Sequence, residues 1–403
     1  MKIIHTADWH IGKKLHKHDL IADFDGFVDW LAEKIIFLKV DLLLVSGDIF
    51  DLANPSSEAR SQYYRALLKL RNLDCKIILT GGNHDSPTML NAPKAILSEL
   101  DISVIGGMPD SVEDVLIPIR DASGEIVLVV AAIPFLRDAD LRTAYAGDTY
   151  EDRLAATRTG IETLFRKAAE QCAEKYPNVP AIAMGHLFAA GMETSESERD
   201  IQIGNQAAFD AHRFADGFDY VALGHIHKPQ RVNAKVPAYY SGSPIALSFS
   251  EQSDEKRILF LDTETSFIPE SISIPAFRKL LKIRGNLDAL DTKLKALSPH
   301  DSLPTLIELE LREDVYDAEK MLRLDSLVSN FDTLGYEIVK HRTQFSNARK
   351  SLGQQYENNE KLEDVRPKDV FLKKITDHEY QTGMRQELLA AFEEILSEVH
   401  AQE

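Results

Sequence analysis

The N-terminal part of the chain, residues 1–80, alternates short apolar runs with longer segments of helical spacing. Residues 2–6, 41–46 and 76–80 are apolar runs of strand length, and residues 21–38 and 56–70 carry apolar side chains at helical intervals. Ser56 or Ser57 suits the cap of the second helix. This order of elements predicts parallel strands joined by right-handed crossovers. Sheets of this kind bind ligands at the carboxyl ends of their strands.

The pattern continues with further strands and one long helix. We expect a helix-like segment at 89–97, strands at 102–105, 112–119 and 126–133, a helix at 153–175, and strands at 181–184 and 220–223. A compact strand–helix–strand–helix–strand pattern follows at 279–284, 287–297, 305–311, 318–331 and 336–341. The tail adds an apolar group at 370–375 and helical spacing at 388–399. We therefore predict a main domain at 1–272, a small α+β cap domain at 273–345, and a linker with C-terminal helices at 346–403.

Composition narrows the class of protein. The chain has 403 residues, 44% hydrophobic and 27% charged, as expected for a globular protein of two or three domains. It shows no membrane-spanning run and no signal peptide, so we expect a cytoplasmic protein without a membrane partner. Cys75 and Cys172 are too few for a disulfide framework, and buried structural roles are expected. The net charge of −18 disfavours nucleic acid overall, but a local basic face would still permit it.

Five apolar strands end in side chains that can bind metal ions, namely Asp8 with His10, Asp48, Asn83, His186, and His225 with His227. If residues 8–10 extend the first strand, Asp8 and His10 point the same way and can share one ion. Each residue taken alone is also explained as a turn or a helix cap. Coincidence at five strand ends is much harder to accept. Asp, Asn and His without Cys suit pairs of manganese, iron or zinc ions, and Asp48 is the natural bridging carboxylate.

The turn after the third strand, Gly81-Gly82-Asn83-His84-Asp85, concentrates this chemistry. Glycine permits a sharp turn and a close approach to a ligand, and the next three side chains are all metal or phosphate partners. Alone, the turn is equally consistent with a structural role in which Asn83 and Asp85 cap the next helix.

Together the five motifs resemble those of the calcineurin-like metallophosphoesterase superfamily: Asp8-X-His10, Gly47-Asp48, Gly82-Asn83-His84-Asp85, Gly185-His186 and Gly224-His225-Ile226-His227. Longer matches at residues 8–12, 47–51, 82–86 and 242–249 resemble the SbcD family of bacterial DNA-repair nucleases. The resemblance covers most of the chain, strongly to about residue 263. It implies an α/β fold with a two-sheet β core flanked by helices, a small α+β cap domain beside the active site, and C-terminal helices.

The resemblance also implies a role for each site residue. Two divalent metal ions, expected to be manganese, would be bound by two ligand sets: Asp8, His10, Asp48 and His227, and Asp48, Asn83, His186 and His225. His84 would meet the phosphate or protonate the leaving oxygen without binding metal. Asp51 and Asp85 would orient His84 or the ligands, with a capping role as the alternative. Archaeal and eukaryotic relatives usually carry His at position 51, so Asp51 departs from their pattern.

The function implied by the resemblance is that of a metal-dependent DNA nuclease with 3′-to-5′ exonuclease and endonuclease activity. Its substrates would be double-strand ends and hairpins. Its partner would be an SbcC-like ATPase whose coiled coil the C-terminal helices grip. A homodimer within a heterotetramer is expected, with the helices at 21–38 or 56–70 as candidates for the contact.

Two other functions remain open from the sequence. One is a phosphoesterase that acts on small phosphodiesters or phosphoproteins, which would need neither the cap nor the tail. The other is a scaffold that couples an ATPase to DNA ends, which would tolerate loss of the metal ligands. Candidate contacts to DNA phosphates are Lys13, Lys14, Lys17, Lys340 and Arg342, with a solvated charged surface as the alternative.

Overall fold

A computed structural model describes residues 1–141, 150–195, 197–198, 209–214, 216–300 and 303–345, together with Leu388 and Phe392. Met1–Glu313 and Asp317–Gln344 make up one compact unit, and the features described below belong to it, apart from Phe345 at the end of the last strand. The C-terminal helices expected at 346–403 lie outside the described residues, apart from Leu388 and Phe392. The three-domain division of the chain stays a prediction.

The strands, in chain order, are β1 (Lys2–Thr6), β2 (Lys14–Leu15), β3 (His18–Asp19), β4 (Leu42–Ser46), β5 (Lys76–Thr80), β6 (Ile102–Ile105), β7 (Leu116–Arg120), β8 (Ile126–Ala132), β9 (Ala181–His186), β10 (Tyr220–Gly224), β11 (Gln230–Val232), β12 (Ala238–Tyr240), β13 (Arg257–Asp262), β14 (Ser266–Ser273), β15 (Leu280–Gly285), β16 (Thr305–Glu313) and β17 (Tyr336–Phe345). The helices are α1 (Ile21–Leu38), α2 (Ser57–Arg71), α3 (Pro87–Asn91), α4 (Lys94–Ser98), α5 (Asp138–Leu141), α6 (Tyr150–Lys175), α7 (Leu287–Lys295) and α8 (Ala318–Ser329).

Local sequence explains most of these boundaries. The Ser56 side chain accepts a hydrogen bond from the Ala59 amide and caps α2, as predicted. The segment expected as one helix at 89–97 is instead two short helices, because Pro93 has no N–H to donate and separates them. The strand expected at 112–119 begins as a 3-10 turn at Val112–Val115 before β7.

Two sheets form the core of the fold. The first has the order β14-β13-β1-β4-β5-β6, and the second has the order β11-β12-β10-β9-β8-β7. The pairs β1–β4 and β4–β5 are parallel, which confirms the prediction from the N-terminal pattern. Ile3, Leu44 and Ile78 of the first sheet are buried together with the apolar side chains of β8, β9 and β10. A second buried cluster holds α1 and α2 on the outer side of the first sheet.

A third sheet, β15-β16-β17, carries α7 and α8 around its own buried cluster. Ile307, Leu309 and Leu311 of β16 belong to this cluster, so the alternating Glu308 and Glu310 lie on the opposite face of the strand. These elements agree with the predicted cap pattern to within a few residues. Both cysteines are buried and free. Within the described residues, no helix is long and apolar enough to cross a bilayer.

Candidate metal centre

Glycines at the strand ends allow the two sheets to meet at one edge. A Cβ atom on Gly47 would overlap the His186 ring, and one on Gly82 would overlap the carboxylate and amide of Asp48. A Cβ atom on Gly224 would overlap the carbonyl oxygen of Ser46. The motif glycines therefore leave room for side chains from neighbouring strands to converge.

The loop after β1 does not continue as a strand. Asp8 and His10 have φ angles of 53° and 46°, so the expectation of an extended segment is wrong. The two side chains still converge because the loop is hydrogen bonded to the end of β4. The Asp8 amide donates to the Gly47 carbonyl at 3.1 Å, and the His10 amide donates to the Asp48 carbonyl at 2.9 Å. Left-handed conformations of non-glycine residues cost about 1–3 kcal/mol each and persist where surrounding bonds impose them.

The loop ends bring together three overlapping buried groups of side chains, of which the third consists of His10, Asp48 and His84. In the first, ligand atoms of Asp8, His10 and His227 all lie within 4.8 Å of one another. The Nε2 atoms of His10 and His227 are 3.1 Å apart. Two imidazole nitrogens and a carboxylate oxygen at such distances are a typical ligand set for a divalent transition metal.

The second group consists of Asp48, His186 and His225, whose ligand atoms meet the same 4.8 Å limit. Asn83 completes it, because its Oδ1 lies 2.9 Å from His186 Nε2 and 3.3 Å from His225 Nδ1. Oδ2 of Asp48 lies 3.4 Å from His186 Nε2 and 3.6 Å from His10 Nε2. This carboxylate therefore lies close to side chains of both groups, and its role as a bridge between two ions stays a prediction.

Burial and charge strongly perturb these groups. Burial raises the pKa of Asp8 to about 7. Burial would also raise the pKa of Asp48, but the nearby His186, His10 and His84 outweigh it and hold that pKa well below its usual range. For His186, burial is outweighed by Asp48 and Asp8, which raise its pKa to about 9. Burial and the neighbouring His186 lower the pKa of His225. Opposed shifts in such a small volume are typical of functional sites.

His84 is held by its ring and by its backbone. Its amide donates to Asp48 Oδ1 at 2.9 Å, and its Nδ1 lies 2.8 Å from the Asp51 carbonyl oxygen. Because a carbonyl oxygen only accepts, Nδ1 carries the hydrogen, and in the neutral ring Nε2 is the basic nitrogen. Nε2 lies 4.0 Å from Asp48 Oδ2, at the edge of the site.

The two predicted supporting carboxylates make different contacts. Asp85 is buried and accepts backbone hydrogen bonds from Ile49, Phe50 and Gly82 at 3.0, 2.9 and 2.8 Å. It therefore joins the loop after β4 to the loop after β5. Asp51 Oδ1 lies 3.4 Å from His10 Nδ1 and 3.1 Å from Lys13 Nζ.

Comparison with known proteins agrees with this geometry. Residues 1–229 match the family model described as calcineurin-like phosphoesterase, and residues 276–375 match the one described as type 5 capsule protein repressor C-terminal domain. The SbcD subunit of nuclease SbcCD from Rhodobacter capsulatus is 37% identical over 291 residues, which cover 70% of this chain and 71% of that protein. The chain is a calcineurin-like phosphoesterase of the SbcD family. The corresponding subunit from Escherichia coli K12 is 29% identical over 399 residues, 97% of each chain, and the one from Bacillus subtilis is 32% identical over 267 residues, 66% of each.

The donor set of this SbcD-family chain fits divalent metal ions. Asp8 Oδ2 and His225 Nε2 are buried and have no hydrogen-bond partner among the described residues. Buried polar atoms are rarely left without partners, and a cation near each would supply them. Oxygen and imidazole ligands suit divalent transition metals, and the choice of manganese stays a prediction.

The predicted DNA-contacting residues of this SbcD-family chain lie in two places. Lys14 and Lys17 are exposed in the β2–β3 hairpin, and Lys13 is ion paired with Asp51. Lys340 lies 3.2 Å from Glu308, and Arg342 lies 2.5 Å from Glu310. The hairpin and β17 are neighbours, because His18 Nδ1 lies 2.9 Å from Glu337 Oε2.

Sequence reasoning missed a polar network behind His227. Ser197 Oγ lies 2.6 Å from His227 Nδ1 and also donates to Glu251. Lys256 Nζ donates to Glu251 at 2.6 Å and to Ser243 at 2.8 Å. Metal-binding histidines are commonly oriented by such partners on their second nitrogen. The only sequence feature that pointed to this network was the motif at 242–249, which contains Ser243. That motif indicated the family but no structural role for Ser243.

Arg137 and Phe135, in the loop after β8, were also missed. The exposed Arg137 donates through Nη2 to the Asp85 carbonyl at 3.0 Å. The Phe135 ring packs edge-on against His186 at 6.2 Å, and its amide donates to the Gly81 carbonyl at 2.8 Å. Neither residue ends a strand, so the pattern that revealed the other site residues did not include them.

Proposed function

We propose that this protein is the nuclease subunit of an SbcCD-type DNA repair and recombination complex in the cytoplasm. Its activities would be 3′-to-5′ exonuclease and endonuclease cleavage of double-strand ends and hairpins. The observation that carries the proposal is the pair of adjacent buried ligand groups, with Asp48 of the second group 3.6 Å from His10 of the first. Membership of the SbcD family supports it, since the relatives compared above are named nuclease subunits.

In the proposed site, two manganese ions would be held by the ligand sets that the family resemblance implies. One set is Asp8, His10, Asp48 and His227, and the other is Asp48, Asn83, His186 and His225. When bound, such ions activate a water molecule and stabilise the charge that develops on the phosphate. The chain's own contribution is to fix the ligands. Asp85 holds the backbone around Asp48, and Asp51 and Ser197 contact the second ring nitrogens of His10 and His227.

His84 is proposed to act on the scissile phosphodiester. With Nδ1 fixed as a donor to Asp51, the ring presents Nε2 at the edge of the site. A protonated Nε2 can donate to a phosphate oxygen or deliver its proton to the leaving oxygen. A general acid of this kind contributes about 10²–10⁴-fold to the rate.

The cap supplies a local basic surface in a chain of net charge −18. Five basic side chains of the third sheet surround two buried carboxylates, and these side chains are Lys282, Arg284, Arg312, Lys340 and Arg342 around Glu308 and Glu310. The excess of cations, next to the hairpin that bears Lys13, Lys14 and Lys17, suits contact with DNA phosphates.

The proposed assembly is a homodimer bound to an SbcC-like ATPase. Ile36 and Phe37 of α1 are 62% and 79% exposed, and Tyr64 and Leu68 of α2 are 38% and 51% exposed. Exposed apolar side chains on two adjacent helices suit a contact between copies of the chain. The segment proposed to grip the ATPase, at 346–403, lies outside the described residues apart from two positions.

The experiment that tests the proposal uses the purified full chain, Mn²⁺ and an end-labelled linear duplex. We expect the wild type to shorten the duplex, His84→Ala to bind Mn²⁺ but cut at least about 100-fold more slowly, and Asn83→Ala to bind Mn²⁺ more weakly. Equal cleavage by all three proteins would contradict the site assignment. Hydrolysis of a small phosphodiester such as bis-p-nitrophenyl phosphate, with no cleavage of DNA even beside an SbcC-like partner, would favour the phosphoesterase alternative.

A further inference from the structure

Neither sheet alone contains a complete ligand set. Asp8, His10, Asp48 and Asn83 follow strands of the first sheet, whereas His186, His225 and His227 end or follow strands of the second. The distances within both ligand groups therefore depend on how the two sheets lie against each other. Most of the contact between the sheets is apolar. Apolar burial is non-directional, so by itself it fixes position only through the shapes of the side chains.

His5 is a polar exception in this apolar layer. It lies on β1, is 0% exposed, and makes two hydrogen bonds to β10 of the second sheet. Its Nδ1 lies 2.9 Å from the Tyr220 hydroxyl, and its Nε2 lies 3.2 Å from the Leu223 carbonyl oxygen. These contacts span β10 from its first residue to its fourth.

The two partners and the burial of the ring together favour one protonation state. The Leu223 carbonyl only accepts, so Nε2 carries the hydrogen. In the neutral ring Nδ1 accepts from the Tyr220 hydroxyl, whereas in a protonated ring Nδ1 would donate to the hydroxyl oxygen. Burial lowers the pKa of His5 to about 3, which agrees with a neutral ring. Both bonds are directional, so they resist sliding of β10 along β1.

Both ends of this link lead into the metal centre. Leu223 precedes Gly224-His225, and β1 leads into Asp8 three residues after His5. A second polar contact is similar, because Ser46 Oγ donates to the Ala222 carbonyl at 3.1 Å. We propose that His5 is a positioning residue: it fixes the position of the second sheet relative to the first, and so the distances between the metal ligands and the affinity for the metal pair. This inference rests on the two-metal function proposed above.

The test compares metal binding in variants of the full-length protein. His5→Phe keeps a ring but removes both hydrogen bonds, and Tyr220→Phe removes only the hydroxyl. Gln62→Leu is the matched control, because it removes partly buried hydrogen bonds of the Gln62 amide to Ile21 and Asp25, between α2 and α1, outside the site. Mn²⁺ affinity is measured by isothermal titration calorimetry, and the thermal midpoint is measured on the metal-free proteins.

We expect His5→Phe to bind Mn²⁺ about 10- to 100-fold more weakly, as is usual for loss of a residue that orients ligands, and Tyr220→Phe to weaken binding by a smaller factor. Gln62→Leu should lower the thermal midpoint but bind Mn²⁺ like the wild type. Wild-type affinity in both His5→Phe and Tyr220→Phe would overturn the inference, as would equal weakening in Gln62→Leu. If His5→Phe does not fold, Tyr220→Phe decides alone. A wild type that binds no Mn²⁺ would instead overturn the two-metal function, and this inference with it.

Discussion

Replacing Asp85 by Asn tests how the loops of the metal centre are held together. Asp85 uses both carboxylate oxygens: Oδ2 accepts from Ile49 and Gly82, and Oδ1 accepts from Phe50. An introduced amide can keep the first two bonds with its oxygen, but its NH₂ then faces the Phe50 N–H. An orphaned buried N–H costs about 1–3 kcal/mol, and loss of charge-assisted bonds adds to it. We expect the free energy of unfolding to fall by roughly 2–4 kcal/mol.

The measurement is urea denaturation of the metal-free protein at pH 8. This pH lies above the Asp85 pKa, which burial and the neighbouring Asp48 raise to about 6, so the carboxylate is ionised in the wild type. Unfolding is followed by the fluorescence of Trp9, in the loop after β1, and of Trp30 on α1. Asp121→Asn is the control, because its three hydrogen bonds all use Oδ1 in an exposed turn and an amide can keep them. If Asp85→Asn loses no more stability than Asp121→Asn, the loops are held by other contacts and the reasoning fails.

Three further predictions concern the metal centre, the dimer and DNA. Gly82→Ala should weaken Mn²⁺ binding at least about tenfold by displacing the Asp48 carboxylate. Gly124→Ala, at a position with open space but a φ of 89°, should lower stability and still bind Mn²⁺ like the wild type in calorimetry. Phe37→Lys should shift the protein toward monomer in light scattering, whereas Ile268→Lys, an equally drastic change at another exposed position, should not. Arg342→Gln should reduce the slope of log affinity for duplex DNA against log salt by about one, and an unchanged slope would remove this residue from the proposed surface.

The sequence revealed the predicted metal ligands because each lies within a few residues of a strand end. The amino-acid types and the parallel order of β1, β4 and β5 were enough to place Asp8, Asp48 and Asn83 at one edge. The conformation of the loop after β1 was not predictable in the same way. It depends on hydrogen bonds from residues 8 and 10 to the end of β4, which the whole of α1 separates from that loop along the chain.

The pattern of apolar and polar residues did not predict the side chains that support the metal ligands from irregular segments. Glu251, Ser197 and Lys256 meet His227 from segments with no strand period and no motif of their own. His5 reads as one more position of an apolar strand, and its role depends on Tyr220, which belongs to a different sheet and is distant in the sequence. The strands and helices between residues 279 and 341 were predicted well because they follow one another with short connections and clear periodicity. In the sequence, Glu308 and Glu310 fit the polar positions of an alternating strand. Their role as ion-pair partners of the surrounding cations depends on the neighbouring strands.

The glycines at positions 47, 82 and 224 make the geometry of the metal centre sensitive to substitution at positions that are not metal ligands. Each of them faces a side chain or carbonyl from a different strand, so one added methyl group disturbs two strands at once. A substitution at one of these glycines therefore displaces more than one part of the site. Loss of activity in a descendant of this chain could therefore begin at residues that bind nothing, while all seven predicted ligands were still present in its sequence.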